Sequence, residues 1–378
     1  MQKIAGPCER QPLRETGSMP TQSIRRSIPL LAAFLLGVPA ELAVAQDRQD
    51  AIMMTLGEGM AGFVAGLGDD QRDAVLYDFD DDERFDLRLA PIGLEGLKIS
   101  EMSDAQWVEL EALFSGVLSP IGLEKMNTIR SLEREVAASE GGVFRFFLGW
   151  MRDTKRYFLT LFGQPTTDAP WAMRFDGHHL SLNWTAIPGA PLSATPLFLG
   201  GQPRVVPPEF ERAGLRVLAG EEDAAVAFLS GLSERERQIA RIPWKGGSQI
   251  RRPMSIGGEV ELELAEAAGL SRSALNPAAR ARFDALVEVH LANFAAAIAD
   301  RYRTQIYGGP GPVTIIYAAA DLLESGRPLY YRIQGGGFMI EFDDTSEDAD
   351  HIHVVLRNPA DDFGRDALAD HLAKQHSR

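Results

Sequence analysis

Cysteine is almost absent from this sequence of 378 residues, because Cys8 is the only one. Disulfides and thiolate metal ligands are therefore excluded from the chain beyond its first residues. Basic residues are also in short supply, at 38 against 53 acidic ones, which gives a formal net charge of −15 at pH 7. This balance disfavours nucleic acid and anionic membrane surfaces as partners, since both require basic patches.

Familiar catalytic motifs are missing as well. The chain has no G-x-S-x-G elbow, no H-E-x-x-H, no Walker loop and no G-x-G-x-x-G after a predicted strand. Serine-hydrolase, zincin and nucleotide-binding interpretations lose their support, and no nucleotide cofactor is expected. The acidic run at residues 78–83 lacks the glycine and the closing glutamate of a calcium loop, which indicates a solvated turn.

The N-terminal region has the order of an export signal. Arg25 and Arg26 precede an apolar run at residues 28–38, and a small-x-small triplet ends at Ala45. We therefore predict a cleavable signal peptide within residues 1–45 and a mature protein in the periplasm or the medium. The apolar run is shorter than the roughly 20 residues that cross a bilayer, and no later run is longer, so no membrane span is expected after cleavage.

Hydrophobic periodicity in the mature chain predicts helices followed by strands, twice over. The first set comprises helices at residues 51–67 and 103–138 and strands at 157–162, 171–175 and 179–186. The helix at 103–138 is expected to be broken near 119–122. The second set comprises helices at 221–242 and 276–303, strands at 313–317, 329–333, 338–343 and 351–357, and a closing helix at 364–375. The predicted fold class is α+β.

A weak internal repeat accompanies this order. Residues 174–184 align without gaps on residues 332–342, with arginine and glycine coinciding and the apolar positions in phase. We predict one globular domain, 46–378, whose similar helix-then-antiparallel-hairpin halves, 46–187 and 209–378, are related by a pseudo-two-fold axis. A proline-rich connector at 188–208 would join them. The alternative is that any two hairpins with glycine turns align this well.

Histidines mark the predicted strands at positions where their side chains would meet. His351 and His353 are two apart on one strand and therefore face the same side, and His179 opens a strand of the first hairpin. These three are the predicted metal ligands. Neutral imidazoles suit zinc, iron or copper. The alternative is that they form only a solvated polar face or cap the hairpin turn.

Other polar residues complete the predicted site. Glu341 lies on the corresponding face of the second hairpin and would be a ligand or a general base, and His371 faces inward on the closing helix and would support catalysis. The residues predicted to bind substrate are His178, Asn183, Arg174 and Arg332. The two arginines suit an anionic substrate group, although pairing with the many carboxylates is the alternative.

Two stretches of sequence resemble the signature of a known family. The first is residues 171–185, with Gly-His-His-Leu at 177–180, and the second runs from Tyr330 through His351-Ile352-His353 to residues 357–364. Both resemble the bacterial domain-of-unknown-function family 3500, and the resemblance covers nearly the whole mature chain. It implies an exported bacterial protein and carries no settled activity.

Together these features favour an exported, metal-dependent enzyme that acts on a small-molecule or envelope substrate, by hydrolysis rather than by redox chemistry. The alternative is a non-catalytic periplasmic binding or scaffold protein whose histidines maintain hairpin turns.

Overall fold

The structure is a computed structural model of the chain. It describes residues 40–87, 93–139, 153–244, 269–320, 323–346 and 349–365. The described residues form eight helices and one large open sheet, which confirms the predicted α+β class. The helices are α1 Ala40–Ala65, α2 Asp69–Val75, α3 Asp104–Phe114, α4 Pro120–Ser139, α5 Ala219–Ser230, α6 Glu234–Ala240, α7 Pro277–Leu291 and α8 Ala296–Gly308.

Eleven strands make up the sheet. They are β1 Leu76–Tyr77, β2 Leu97–Lys98, β3 Phe158–Phe162, β4 Trp171–Gly177, β5 Leu180–Ala186, β6 Leu197–Gly201, β7 Leu270–Ser271, β8 Thr314–Ala319, β9 Leu329–Gly335, β10 Phe338–Asp344 and β11 Ile352–Arg357. Their order is β1-β3-β4-β5-β6-β11-β10-β9-β8-β7, with β2 also paired to β3. All described pairings are antiparallel except that of β1 with β3.

The middle of the sheet departs from the sequence prediction. The predicted connector, 188–208, contains β6, which pairs with β5 on one side and with β11 on the other. Six prolines and three glycines occur in this segment around a short apolar run, so the composition is typical of a linker although the run is a buried strand. Strand β6 therefore joins the first set of strands to the second, next to the predicted histidine positions.

Most predicted helices and strands are confirmed, with two refinements. The predicted helices 221–242 and 276–303 each consist of two helices, α5 with α6 and α7 with α8. Ser233 starts α6 by accepting a hydrogen bond from the Glu236 amide, a cap that opens a new helix. The predicted closing helix lies almost entirely outside the described residues. Helix α1 begins upstream of the predicted cleavage after Ala45. None of the described helices is long and apolar enough to cross a membrane.

Both faces of the central strands are buried, but they differ in chemistry. One face carries apolar side chains such as Leu182 and Val354, which belong to the main hydrophobic core with the helices. The other face carries Ser181, Asn183 and His353, and it also holds a smaller apolar cluster of Leu87, Phe198, Val355 and Phe363. Buried polar groups need hydrogen-bond or metal partners, so the side chains that could bind a ligand lie on this second face.

Candidate metal centre

Three histidines meet at the end of the β4–β5 hairpin. His179 lies in its turn, His351 lies just before β11, and His353 lies within β11. One ring nitrogen of each lies within 4.8 Å of the others, and the Nε2 atoms of His179 and His351 are 2.8 Å apart. The structure thus brings together all three predicted ligands, from segments 172 residues apart in sequence.

A glycine opposite these histidines makes room for their rings. The β6–β11 register places Gly200 directly across from His353, and the Gly200 amide donates to the His179 carbonyl oxygen at 2.6 Å. A Cβ at Gly200 would lie 2.9 Å from His353 Cδ2 and 3.2 Å from His179 Cδ2. Any side chain there would push the two rings away. No local sequence pattern points to Gly200, because its role depends on the pairing of a strand within the predicted connector.

The turn that presents His179 has an unusual backbone. His179 has a φ of 103°, in a region that glycine adopts readily and that costs other residues about 1–3 kcal/mol. The turn is held by the Gly200 contact and by Tyr157, whose hydroxyl donates to the His178 carbonyl at 2.7 Å. The equivalent two-residue turn between β9 and β10 consists of Gly336 and Gly337, both with positive φ. The first hairpin therefore bears a backbone strain that the second avoids.

His353 is held in the form that binds metal. Its side chain is buried, and burial lowers its pKa well below 6.5, with a further lowering by His351 and His178. None of the described residues forms a hydrogen bond with its Nδ1. A neutral imidazole with a free ring nitrogen is a ready ligand for a divalent transition metal.

A glutamate that sequence reasoning missed contacts the same histidines. Glu133 on α4 is 1% exposed, and its Oε1 lies 2.6 Å from His178 Nδ1 and 3.8 Å from His179 Nδ1. The stacked rings of His178 and His179 have centroids 3.8 Å apart, so both present Nδ1 to this carboxylate. Glu133 lies within the predicted helix 103–138, where several glutamates occur and nothing in the sequence distinguishes it.

Two carboxylates of β10 lie on the polar face of the sheet. Glu341 is opposite Val355 and accepts a hydrogen bond from the Tyr330 hydroxyl at 2.6 Å. Asp343 is directly opposite His353 and accepts a hydrogen bond from the Thr345 amide at 2.9 Å through Oδ1, while its Oδ2 has no partner within the described part of the chain. Burial raises the pKa of Asp343 to about 6. The carboxylate beside His353 is therefore Asp343, two positions along from the predicted Glu341.

Two of the predicted substrate-binding residues have structural partners. Arg174 is buried and forms ion pairs with Asp176 at 2.5 Å and with Glu83 at 2.7 Å, as the carboxylate-pairing alternative predicts. Asn183 donates to Ser181 Oγ and to the Pro196 carbonyl, both at 3.0 Å.

The remaining predicted residues differ in their surroundings. Arg332 is opposite Glu341 on β9, is only partly buried, and has no hydrogen-bond partner for its Nε. His178 contacts Glu133, as described above. His371 lies outside the described residues.

Imidazole nitrogens and carboxylate oxygens of this kind suit zinc, iron or copper. Among the described residues, two groups of three could hold an ion: His179 with His351 and His353, and Glu133 with His178 and His179. The fold and the site thus define a mixed α+β protein with a buried histidine–carboxylate centre.

The chain belongs to the family described as "Protein of unknown function (DUF3500)", whose profile matches residues 50–365. No curated protein and no solved structure matches the chain.

Proposed function

We propose that the protein is a metal-dependent enzyme in which His179, His351 and His353 hold a divalent ion. The observation that carries this proposal is the convergence of three buried or half-buried imidazoles within 4.8 Å, at a point where Gly200 leaves space for them. Three protein ligands with room for a further one are typical of catalytic zinc sites. Zinc, iron and copper all fit the donor set.

The proposed reaction is hydrolysis. A divalent ion at such a site lowers the pKa of a bound water and supplies a nucleophile near neutral pH. Asp343 is the carboxylate best placed to accept a proton, because it lies opposite His353 and its Oδ2 is free. Glu341 is the second candidate, although the Tyr330 hydroxyl occupies its Oε1.

The proposed substrate is a small molecule or an envelope component with an anionic group. Arg332 supports this assignment, because its side chain is only partly buried and it lies opposite Glu341 on the adjoining strand. Arg174 and Asn183 contribute instead to the architecture around the site, since their partners are protein groups. We assign His178 to the metal centre rather than to substrate binding because it contacts Glu133.

Export to the periplasm or the medium is part of the proposal. It is supported by the paired arginines, by the apolar run that follows them, and by the small-residue triplet, which ends at Ala45. The acidic net charge and the absence of basic motifs support a substrate other than nucleic acid.

An origin of the fold in two similar halves is also proposed. Its support is the repeated element order, which runs from a short strand through two helices to four longer strands in each half. The loops that separate the two helices in each half contact one another through an antiparallel bridge between Leu118 and Phe294. The parallel pairing of β1 with β3 has a counterpart in the parallel bridge between Arg241 and Tyr317.

A non-catalytic scaffold or binding protein is the second candidate. It is favoured by the 2.8 Å contact of His179 with His351 and the 2.6 Å contact of His178 with Glu133, both of which are satisfactory hydrogen bonds without a metal. This candidate predicts that substitution of the histidines lowers the melting temperature. It also predicts that the wild-type protein has no ligand-dependent stabilisation for the substitution to remove.

Metal analysis separates the two candidates. Protein purified with a histidine-free affinity tag, dialysed against zinc at pH 7.5 and measured by plasma mass spectrometry, should hold at least one ion per chain. The double variant His351→Ala/His353→Ala should hold one ion fewer. His290→Gln is the matched control, because His290 is buried elsewhere and bonds to Tyr331. A wild-type protein without stoichiometric zinc, iron or copper would refute the metal-dependent function.

A panel of chromogenic esters, phosphoesters and amides then tests the reaction class. Activity should require the bound ion and should fall at least 100-fold in Asp343→Asn, in keeping with removal of a general base. A metal-loaded protein that hydrolyses none of these and is only stabilised by the ion would favour the scaffold.

A further inference from the structure

The second group of ligand atoms, Glu133 with His178 and His179, lies beside the proposed site. All three side chains are at least nine-tenths buried, and one donor atom of each lies within 4.8 Å of the others. They come from a helix and a hairpin turn that are separated by 45 residues in sequence. A buried carboxylate with two imidazoles is a donor set that suits zinc or copper.

His179 belongs to both groups through different ring atoms. Its Nε2 lies 2.8 Å from His351 Nε2, and its Nδ1 lies 3.8 Å from Glu133 Oε1. The two nitrogens of an imidazole point in diverging directions, so one ring can bind one ion through each of them. The two groups share only this residue.

The turn geometry also indicates that His178 and His179 have a role beyond forming the turn. Gly336 and Gly337 make the equivalent turn of the second hairpin, where a Cβ at Gly336 would clash with the carbonyl oxygen of Gln305 on α8. In the first hairpin, the turn instead carries two imidazoles toward α4, at the cost of a positive φ at His179. Strain of this kind persists where the surroundings hold it in place, and it is concentrated at binding sites.

We propose that this hairpin holds a second divalent ion, bound by Glu133, His178 Nδ1 and His179 Nδ1, with His179 bridging the two ions as an imidazolate. The inference rests on the proposed function, because the first ion occupies the Nε2 side of the same ring. Formation of the bridge removes the single N–H proton of the neutral His179 ring, so that each ring nitrogen binds one ion. The proton displaced from His179 goes to solvent.

The simplest competing explanation gives Glu133 an orienting role. A carboxylate often accepts a hydrogen bond from the ring nitrogen of a histidine that binds metal through its other nitrogen. The 3.8 Å separation between Glu133 and His179 is longer than such a hydrogen bond, and the arrangement does not require His178, which makes the shorter contact with Glu133. It predicts one ion per chain.

Ion stoichiometry distinguishes these arrangements. Full-length protein dialysed against zinc at pH 7.5 should hold two ions per chain, and Glu133→Gln and His178→Gln should each hold one. The variant His351→Ala/His353→Ala should also hold one, while His179→Gln, which removes a ligand from both groups, should hold none. His290→Gln should hold two. Circular dichroism and melting temperature identify any variant that fails to fold, and the two single variants at Glu133 and His178 serve as checks on each other.

Copper(II) provides the test of the bridge. The paramagnetic resonance signal should grow with the first equivalent of copper and decrease with the second, because an imidazolate bridge couples the two spins antiferromagnetically. Two ions with additive, uncoupled signals would overturn the bridge. One zinc ion per chain, lost in His351→Ala/His353→Ala and kept in Glu133→Gln, would overturn the second ion and leave the proposed function standing. No bound ion would overturn both.

Discussion

Replacement of His179 by glycine or by alanine measures the strain in the ligand-bearing turn. Both substitutions remove the imidazole, and they differ only in the Cβ atom. At a φ of 103°, a Cβ is sterically unfavourable, whereas glycine adopts this conformation readily. We expect the metal-free His179→Gly protein to be more stable than His179→Ala by about 1–2 kcal/mol.

The adjacent residue, His178, supplies a control in which the stability difference between the glycine and alanine variants should have the opposite sign. His178 does not have a positive φ, so the greater flexibility of glycine in the unfolded chain should dominate there. His178→Gly should therefore be less stable than His178→Ala by about 0.5–1 kcal/mol. The two pairs together predict a difference of about 2 kcal/mol between neighbouring positions of one turn.

Urea unfolding of the four variants in the presence of a chelator, followed by circular dichroism, gives these free energies of unfolding. The comparison within each pair is insensitive to the loss of ring contacts, since both members lose the same ring. If His179→Gly is no more stable than His179→Ala, the turn is not strained, and the inference that its histidines are retained for binding loses its energetic basis.

Other substitutions test the surroundings of the site and the buried core. Gly200→Ala should weaken zinc binding at least tenfold in a chelator competition, because its Cβ would lie 2.9 Å from His353 Cδ2, while Gly62→Ala, which meets no atom within 4 Å, should leave affinity unchanged. Equal affinities in the two variants would contradict the packing argument. Burial lowers the pKa of His290 to about 3, so its neutral form stabilises the fold fully above pH 6.5, and this contribution is lost as pH falls toward 3. The stability advantage of wild type over His290→Gln should shrink by about 2–3 kcal/mol between pH 7.5 and pH 4.5 in urea unfolding, and a constant difference would refute it.

The sequence was most informative where periodicity is local. The spacing of His351 and His353, and the position of His179 beside a predicted hairpin turn, depend only on neighbouring residues, and the structure brings these three together. The classes of most helices and strands follow from the same local patterns. Side-chain periodicity of this kind is a property of the chain itself.

Residues defined by long-range packing could not be found in this way. Glu133 reaches the histidines because α4 packs near the hairpin, and Gly200 matters because β6 pairs with β11. The choice of Asp343 over Glu341 as the neighbour of His353 depends on register between strands, which hydrophobic pattern alone does not fix. Proline-rich composition concealed β6, the strand that carries Gly200.

The pairing of β6 with β11 gives the site a mechanical role. His179 precedes β6 in the chain and His351 immediately precedes β11, 172 residues later, so a shared ion would tie distant segments together as a disulfide does. At a concentration 1,000 times its Kd, such an ion adds about 4 kcal/mol to the free energy of unfolding. A chain without cysteine beyond Cys8 would thereby acquire a removable cross-link, and the metal supply of its compartment would set its resistance to proteolysis.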